Sequence, residues 1–247
     1  MFLRTLRWLF AAGLFLSSCR SAQVPTGAAY HDYRVTDSVG RDTVLSALLA
    51  PYRDSVNRSM NDIVGYLDAP LEKKSPQGSL GDFMADALFY MAKEKFGLQP
   101  DVAVVNSGGI RLTQVPAGAI TRGRIFELMP FDNLVVVQRV KGDVLEQFLN
   151  LAASGGGWPL AGVKMGIRDK KAVDIMIGGQ PLDRQKTYLL VNSDYVASGG
   201  DNAAMLKAIP QQNIGYLMRD ALLDYIRAQQ AAGHHISIPT ETRVYAQ

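Results

Sequence analysis

From Tyr33 to its end, the 247-residue chain alternates between two hydrophobic periods, and that alternation constrains the fold more than any other feature. Leu80, Phe83, Met84, Ala87, Leu88 and Met91 recur at helical spacing, so they form one apolar helix face. Asp82 stands in the first turn of that helix and Gly97 closes it,. Asp101-Val-Ala-Val-Val follows and reads as a buried strand, because its β-branched run suits a pleated surface,. Arg124 to Met129 reads as a short helix or turn and Leu134 to Val140 as a strong strand. Lys141-Gly142-Asp143 opens a helix with Val144, Leu145, Phe148, Leu149 and Ala152 on one face, ended by Ser154-Gly-Gly-Gly157,. Segments 163–168 and 172–177 look like a hairpin, with a turn over 178–183,. Thr187 to Val191 is a further strand, and Leu217, Ala221, Leu222, Tyr225 and Ile226 mark a last amphipathic helix. Near the start, Tyr33 to Val39 can form a strand, and Thr43 to about Tyr66 a helix that Pro51 can break. Ala69 to Ser79, with two prolines and a glycine, reads as a loop. Mixed order with hairpins predicts an α/β (α+β) fold, a mixed sheet flanked by helices rather than a doubly wound parallel sheet.

The N-terminus has a different character. Arg4 and Arg7 precede the apolar run Trp8 to Leu16, which stops at Ser17-Ser18-Cys19. A basic start, a short apolar stretch and a small-residue exit describe a secretory signal. The run is too short to span a bilayer, which needs roughly 20 apolar residues. Cys19 is the only cysteine, so no disulfide can form within the chain,. Leu16-Ser17-Ser18-Cys19 resembles the bacterial lipobox. That resemblance implies acylation of the Cys19 thiol and cleavage before it; a plain signal peptide with an incidental cysteine is the alternative. The expected organisation is a signal peptide over 1–18, a lipidated cysteine and tether over 19–32, and one domain over 33–247. Residues 20–29 are small and polar, with Pro25 and Gly27, as a tether should be,. The expected location is the cell envelope, lipid-anchored, periplasmic or outer-membrane, and Arg20 does not settle which membrane. Removing the signal leaves 24 basic and 23 acidic residues. The domain is then near neutral, and nothing in it suggests nucleic acid as a partner, which would need a basic face.

Three segments place glycines beside polar groups at strand ends. In Asn106-Ser-Gly108-Gly109-Ile-Arg111, the glycines permit close backbone approach to a ligand,. Asn106 can donate and accept, and Arg111 offers a planar fork for phosphate or carboxylate. Taken alone, such a turn is more often structural. In Pro130-Phe131-Asp132-Asn133, the aromatic is either a core plug or a stacking platform,. In Asp194-Tyr195-Val-Ala-Ser-Gly199-Gly200-Asp201, Tyr195 is a second platform and Asp201 an acceptor for sugar hydroxyls, or else a cap for a helix beginning at Asn202,.

The three segments in this order resemble the C-terminal, substrate-binding domain of the 5′-nucleotidase family, over about residues 33–245. The family's motifs are Asn-x-Gly-Gly-x-Arg, an aromatic in a Pro-Phe turn, and aromatic-x-x-x-Gly-Gly-Asp. The resemblance implies that Asn106 contacts base or sugar, Arg111 binds phosphate, Phe131 and Tyr195 sandwich the base, and Asp201 holds ribose hydroxyls. Two positions depart from the pattern. Ser79 stands where a phosphate-binding arginine is expected, and Tyr195 replaces the commoner phenylalanine.

Hydrolysis in that family belongs to a metallophosphoesterase domain with two metals held by several His, Asp and Asn side chains. This chain has three histidines, His31, His234 and His235, and no carboxylate-rich motif beside them. No Gly-x-Ser-x-Gly or P-loop motif is present. No cofactor is therefore expected in this chain, and two divalent metals are expected on a separate metallophosphoesterase subunit. The leading expectation is the substrate-binding half of a split hydrolase in nucleotide catabolism, with a nucleotide or nucleoside as ligand. The alternatives are a non-enzymatic nucleoside- or nucleotide-binding envelope lipoprotein and an interaction lipoprotein that has lost the ligand. The anchor is tested directly: Cys19→Ser should abolish incorporation of labelled fatty acid and move the protein from the membrane to the soluble fraction. Label retained by the variant would refute acylation at Cys19.

Overall fold

The computed structural model describes residues 27–34, 36 and 40–247. The signal and Cys19 lie outside the described residues; 27–32 of the expected tether are irregular and exposed. Tyr33, Arg34 and Thr36 belong to no strand, and the rest of the expected first strand is not among the described residues. The chain forms two compact units, to Leu48 and from Leu49 onward.

The elements run α1 (Thr43–Met60), β1 (Ile63–Leu67), β2 (Leu71–Glu72), α2 (Ser79–Phe96), β3 (Val102–Val104), β4 (Gln114–Val115), β5 (Gly118–Thr121), α3 (Arg122–Leu128), β6 (Val135–Lys141) and α4 (Gly142–Ser154). They continue with β7 (Leu160–Ala161), β8 (Val163–Arg168), β9 (Lys171–Ile177), β10 (Gln180–Pro181), β11 (Thr187–Ser193), α5 (Asp194–Ala197), β12 (Gln211–Gln212), α6 (Met218–Ala231) and β13 (Val244–Ala246).

The central sheet has the order β12-β6-β11-β3-β7. β11 runs parallel to β3, with Leu190 opposite Val102, while β6 and β7 are antiparallel to their neighbours. A second sheet, β10-β9-β8-β13, is also mixed, because β13 runs parallel to β8. The mixed α/β architecture expected from the sequence is what the chain adopts. Strand side chains alternate between faces. Ala103, Val105, Val135, Val137 and Val191 enter one apolar core with α2 (Leu80, Met84, Leu88) and α6 (Ala221, Leu222, Ile226). Val102, Val104, Val140 and Leu190 enter the other with α4 (Leu145, Phe148, Leu149) and Trp158. Burial on both faces explains why these strands read as continuous apolar runs. Phe148 is fully buried, edge-on to Trp158 with centroids 5.8 Å apart, where truncation costs about 3–5 kcal/mol.

Three expectations need correction. The helix expected to reach Tyr66 stops at Met60, and Ile63–Leu67 is a strand. The short apolar run Ile63–Leu67 cannot be told from a helix segment by periodicity alone; antiparallel pairing with β5, with Gly65 opposite Ile120, selects the strand. Pro51 does not break α1, which runs through it. Proline forfeits one backbone bond, and α1 buries none of its residues. Within the expected loop 69–79, Leu71–Glu72 pairs with Gln114–Val115.

The C-terminal strand is tied to the start of α2 by a buried polar cluster. Arg243 contacts Asp86 at 2.8 Å and donates to the Leu160 carbonyl at 3.0 Å. The Gln77 side chain donates to Asp82 at 2.7 Å and accepts from the backbone N–H groups of Arg243 and Val244. Burial pushes the Asp82 and Asp86 carboxyls above their ordinary range, against the opposing pull of Gln77 on Asp82 and of Arg243 on both. Just above the ordinary carboxylate pKa, the folded chain therefore holds protons that the unfolded chain has released. The stability linked to those protons is full below that pKa and is lost as pH rises through the raised values. Asp82→Asn keeps an acceptor for Gln77 and removes the desolvated charge. It should melt no lower than wild type at pH 7 and flatten the loss of stability as pH rises above the ordinary carboxylate range. A destabilisation at pH 7 of about 1 kcal/mol or more, the worth of a buried hydrogen bond, would contradict this.

Candidate functional site

The sheet topology brings three loops to one edge. β11 and β3 are parallel, so their C-terminal ends emerge together; β6 is antiparallel to β11, with Val135 opposite Ser193, so its N-terminal end lies there too. β3 leads into Asn106–Arg111, β11 into Tyr195 and Asp201, and the turn containing Phe131 leads into β6. The crevice beyond strand C-termini is where open α/β sheets bind ligands.

A cavity of about 300 Å³ opens at this edge, lined by Asn106, Gly108, Gly109, Phe131, Asn133, Tyr195 and Asp201. Its volume is at the small end of ligand pockets. Phe131 and Tyr195 are 41% and 46% exposed, so neither is a core plug and both present ring surface to a flat ligand. Asp201 does not cap a helix. Its carboxylate accepts from the Tyr195 hydroxyl at 2.9 Å and from the Asn106 amide at 2.6 Å. The Asp201 backbone N–H donates to the Tyr195 hydroxyl oxygen at 3.3 Å.

This geometry requires unusual backbone. Gly199 has φ 97°, and Asp201 and Asn202 have φ 49° and 67°. A non-glycine residue in the left-handed region costs on the order of 1 kcal/mol. Gly200 has no room for a side chain, since a Cβ would lie 2.6 Å from two atoms of the Tyr195 ring.

Arg111 and the two glycines of the third loop stand apart from the cavity wall. The Arg111 guanidinium lies 5.8 Å from the centre of the Phe131 ring and donates to the Gly108 carbonyl at 3.4 Å. It flanks the stacking platform as a cation over the ring face. Gly199 and Gly200 shape the backbone behind Tyr195. Ser79 is structural, its hydroxyl accepting from the Glu72 backbone N–H at 2.9 Å.

Other residues hold the site and escaped the sequence reading. Asp194 accepts from the Leu134 N–H at 3.0 Å, and its own N–H donates to the Leu134 carbonyl at 3.0 Å, tying the Tyr195 segment to the Phe131 segment. The Lys73 ammonium donates to the Ser107 and Ile110 carbonyls, each at 2.9 Å, so a cation braces the glycine loop. Arg219, on α6, is 8% exposed. It donates to the carbonyls of Met129 (3.4 Å) and Phe131 (3.3 Å), pairs with Asp132 (2.7 Å) and lies 4.2 Å from the centre of the Phe126 ring. A guanidinium amid the apolar positions Met218, Ala221 and Leu222 is the signal that could have found it. His235 pairs with Asp68 at 2.8 Å. Among the described residues, no three His, Cys, Asp or Glu side chains gather as metal ligands.

Residues 60–208 match the family model of the 5′-nucleotidase C-terminal domain. The 5′-nucleotidase of Vibrio cholerae serotype O1 is 27% identical over 221 residues, covering 85% of this chain and 39% of that protein. Protein UshA of Yersinia enterocolitica is 29% identical over 198 residues, covering 77% of this chain and 36% of that protein. The chain thus spans well under half the length of these curated relatives. The crystal structure of a 5′-nucleotidase precursor from Thermus thermophilus shares the fold, with a TM-score of 0.71 at 24% identity over 82% of this chain and 42% of that one.

Arg219→Ala should leave the Met129 and Phe131 carbonyls without their partner and lower stability by about 3 kcal/mol, measured by denaturant unfolding. A change under about 0.5 kcal/mol, as at an ordinary surface position, would show that Arg219 does not hold the Phe131 turn.

Proposed function

Since the chain belongs to the family of 5′-nucleotidase C-terminal domains, we propose that it is the nucleotide-binding half of a split 5′-nucleotidase-like hydrolase. A lipid on Cys19 would hold it at the cell envelope. A separate metallophosphoesterase chain, carrying two divalent metals, would supply the hydrolysis. One observation carries the binding role: two exposed aromatic rings, Phe131 and Tyr195, line the same cavity as Asn106 and Asp201. A nucleoside needs a flat apolar slot for its base and an acceptor for its sugar hydroxyls, and this set provides both. The cavity lining contains one carboxylate, Asp201, and no histidine. A two-metal hydrolytic centre needs several such ligands, so the chemistry is assigned to the partner.

A second reading has its own support. Arg111 lies beside Phe131 rather than in the cavity lining, and Ser79 is committed to the Glu72 backbone. Base and sugar recognition is therefore better provided for than phosphate recognition, as a nucleoside-capturing lipoprotein would require. Calorimetry separates the two. Equal affinities for adenosine and AMP favour capture, and a strong preference for AMP favours the hydrolase half.

Phe131→Ala and Tyr195→Ala should each weaken adenosine binding by about tenfold, as expected for one lost base–aromatic stack. Unchanged affinities in both variants would remove the stacking site. The purified chain alone should release no phosphate from AMP, and adding the metallophosphoesterase chain should give release that EDTA abolishes. Enzymatic release by this chain alone in EDTA would sink the split-enzyme proposal.

A further inference from the structure

We propose that the Tyr195 hydroxyl is a positioning residue for sugar recognition: it holds the Asp201 carboxylate in the orientation in which that group accepts from sugar hydroxyls. This rests on the nucleoside-binding role proposed above and concerns what within that site reads the sugar.

Asp201 and the following Asn202 are consecutive non-glycine residues in the left-handed region, at φ 49° and 67°. Such a pair persists only where its surroundings over-determine it. Tyr195 provides the constraint through one oxygen. Its hydroxyl donates to Asp201 Oδ1 at 2.9 Å and accepts from the Asp201 backbone N–H at 3.3 Å. Side chain and backbone of one residue are thereby gripped from one point. The opposite carboxylate oxygen, Oδ2, accepts from the Asn106 amide at 2.6 Å. The hydroxyl is itself placed by packing, because the Tyr195 ring lies against Gly200, where a Cβ would come within 2.6 Å of Cε1 and Cζ.

An ionised carboxylate offers about four lone-pair sites. Protein donors take one on each oxygen, leaving one open on each. Those open sites can accept from sugar hydroxyls. A ligand without a hydroxyl leaves an oriented acceptor unmatched, and sites built to bind a hydroxyl discriminate strongly against analogues that lack it. A phenylalanine at 195 would keep the stacking ring and lose both bonds to Asp201. Tyrosine at this position therefore adds control of Asp201 to the stacking surface that either aromatic supplies.

The test is calorimetry on the mature chain with adenosine and adenine, in wild type, Tyr195→Phe and Asp201→Asn, with melting curves to check folding. Wild type should bind adenosine more tightly than adenine. In Tyr195→Phe the adenosine-to-adenine affinity ratio should fall about fivefold, the worth of one hydrogen bond, and in Asp201→Asn it should fall at least as far. A purely structural role for the hydroxyl would weaken both ligands together and leave the ratio unmoved. An unchanged ratio in Tyr195→Phe with adenosine still bound overturns this proposal and leaves the nucleoside site standing. Equal wild-type affinities for adenosine and adenine would show that the sugar is not read at all and overturn the proposal without recourse to a variant. If wild type binds neither adenosine nor adenine, the nucleoside reading falls and this proposal with it.

Discussion

The parallel pairing of β11 with β3, flanked by antiparallel β6, is the interaction on which the rest of the molecule depends. Leu190 opposite Val102 and Val191 opposite Ala103 set a register that sends alternate side chains into two separate cores. Each core needs its own helical cover, which α2 and α6 supply on one face and α4 on the other. The same pairing brings two strand C-termini and one strand N-terminus to a single edge. A register slip of one residue would exchange the two faces and separate the loops that form the cavity.

Loops at a sheet edge have few backbone partners of their own. Here they are cross-braced from other elements. Arg219 on α6 holds the Phe131 turn, Lys73 braces the loop after β3, and Asp194 joins the segments before β6 and after β11. Asp201 sits in a conformation that is costly for any residue with a Cβ, and its bonds to Tyr195 and Asn106 offset that cost. The aromatic surfaces and the acceptor are thereby held in place by the protein itself, an arrangement that lowers the ordering cost of any binding there.

Legibility in the sequence followed the range of the forces involved. α2 was readable because Leu80, Met84 and Leu88 repeat at helical spacing, and its end because Gly97 takes the left-handed conformation that closes a helix,. The hairpin β8–β9 and the strands β3, β6 and β11 were likewise close to expectation. β1 was not, because Ile63–Leu67 is a short apolar run that periodicity cannot assign and only β5, far along the chain, decides its state,. The site shows the same division. Asn106, Phe131, Tyr195 and Asp201 were recognisable as a motif set and do meet at one cavity. Arg111 was assigned by its guanidinium chemistry, but the chain path places it beside Phe131 and outside the cavity lining. Asp201, whose position before Asn202 also suited a cap, instead accepts bonds from Tyr195 and Asn106.

The sequence by itself determined the class of fold, the family and most of the residues that meet in the cavity, Asn106, Gly108, Gly109, Phe131, Tyr195 and Asp201 among them. These depend on local periodicity, turn chemistry and the order of motifs, all of which are written along the chain. Only the tertiary structure decided the division of roles among those residues. It paired the Tyr195 hydroxyl with Asp201, drew Ser79 into a backbone contact, and recruited Lys73 and Arg219, one from the loop before α2 and one from the far end of the chain. Each of those outcomes is a hydrogen bond or an ion pair effective over a few ångströms, between groups that sequence separation leaves unrelated until the sheet brings them together.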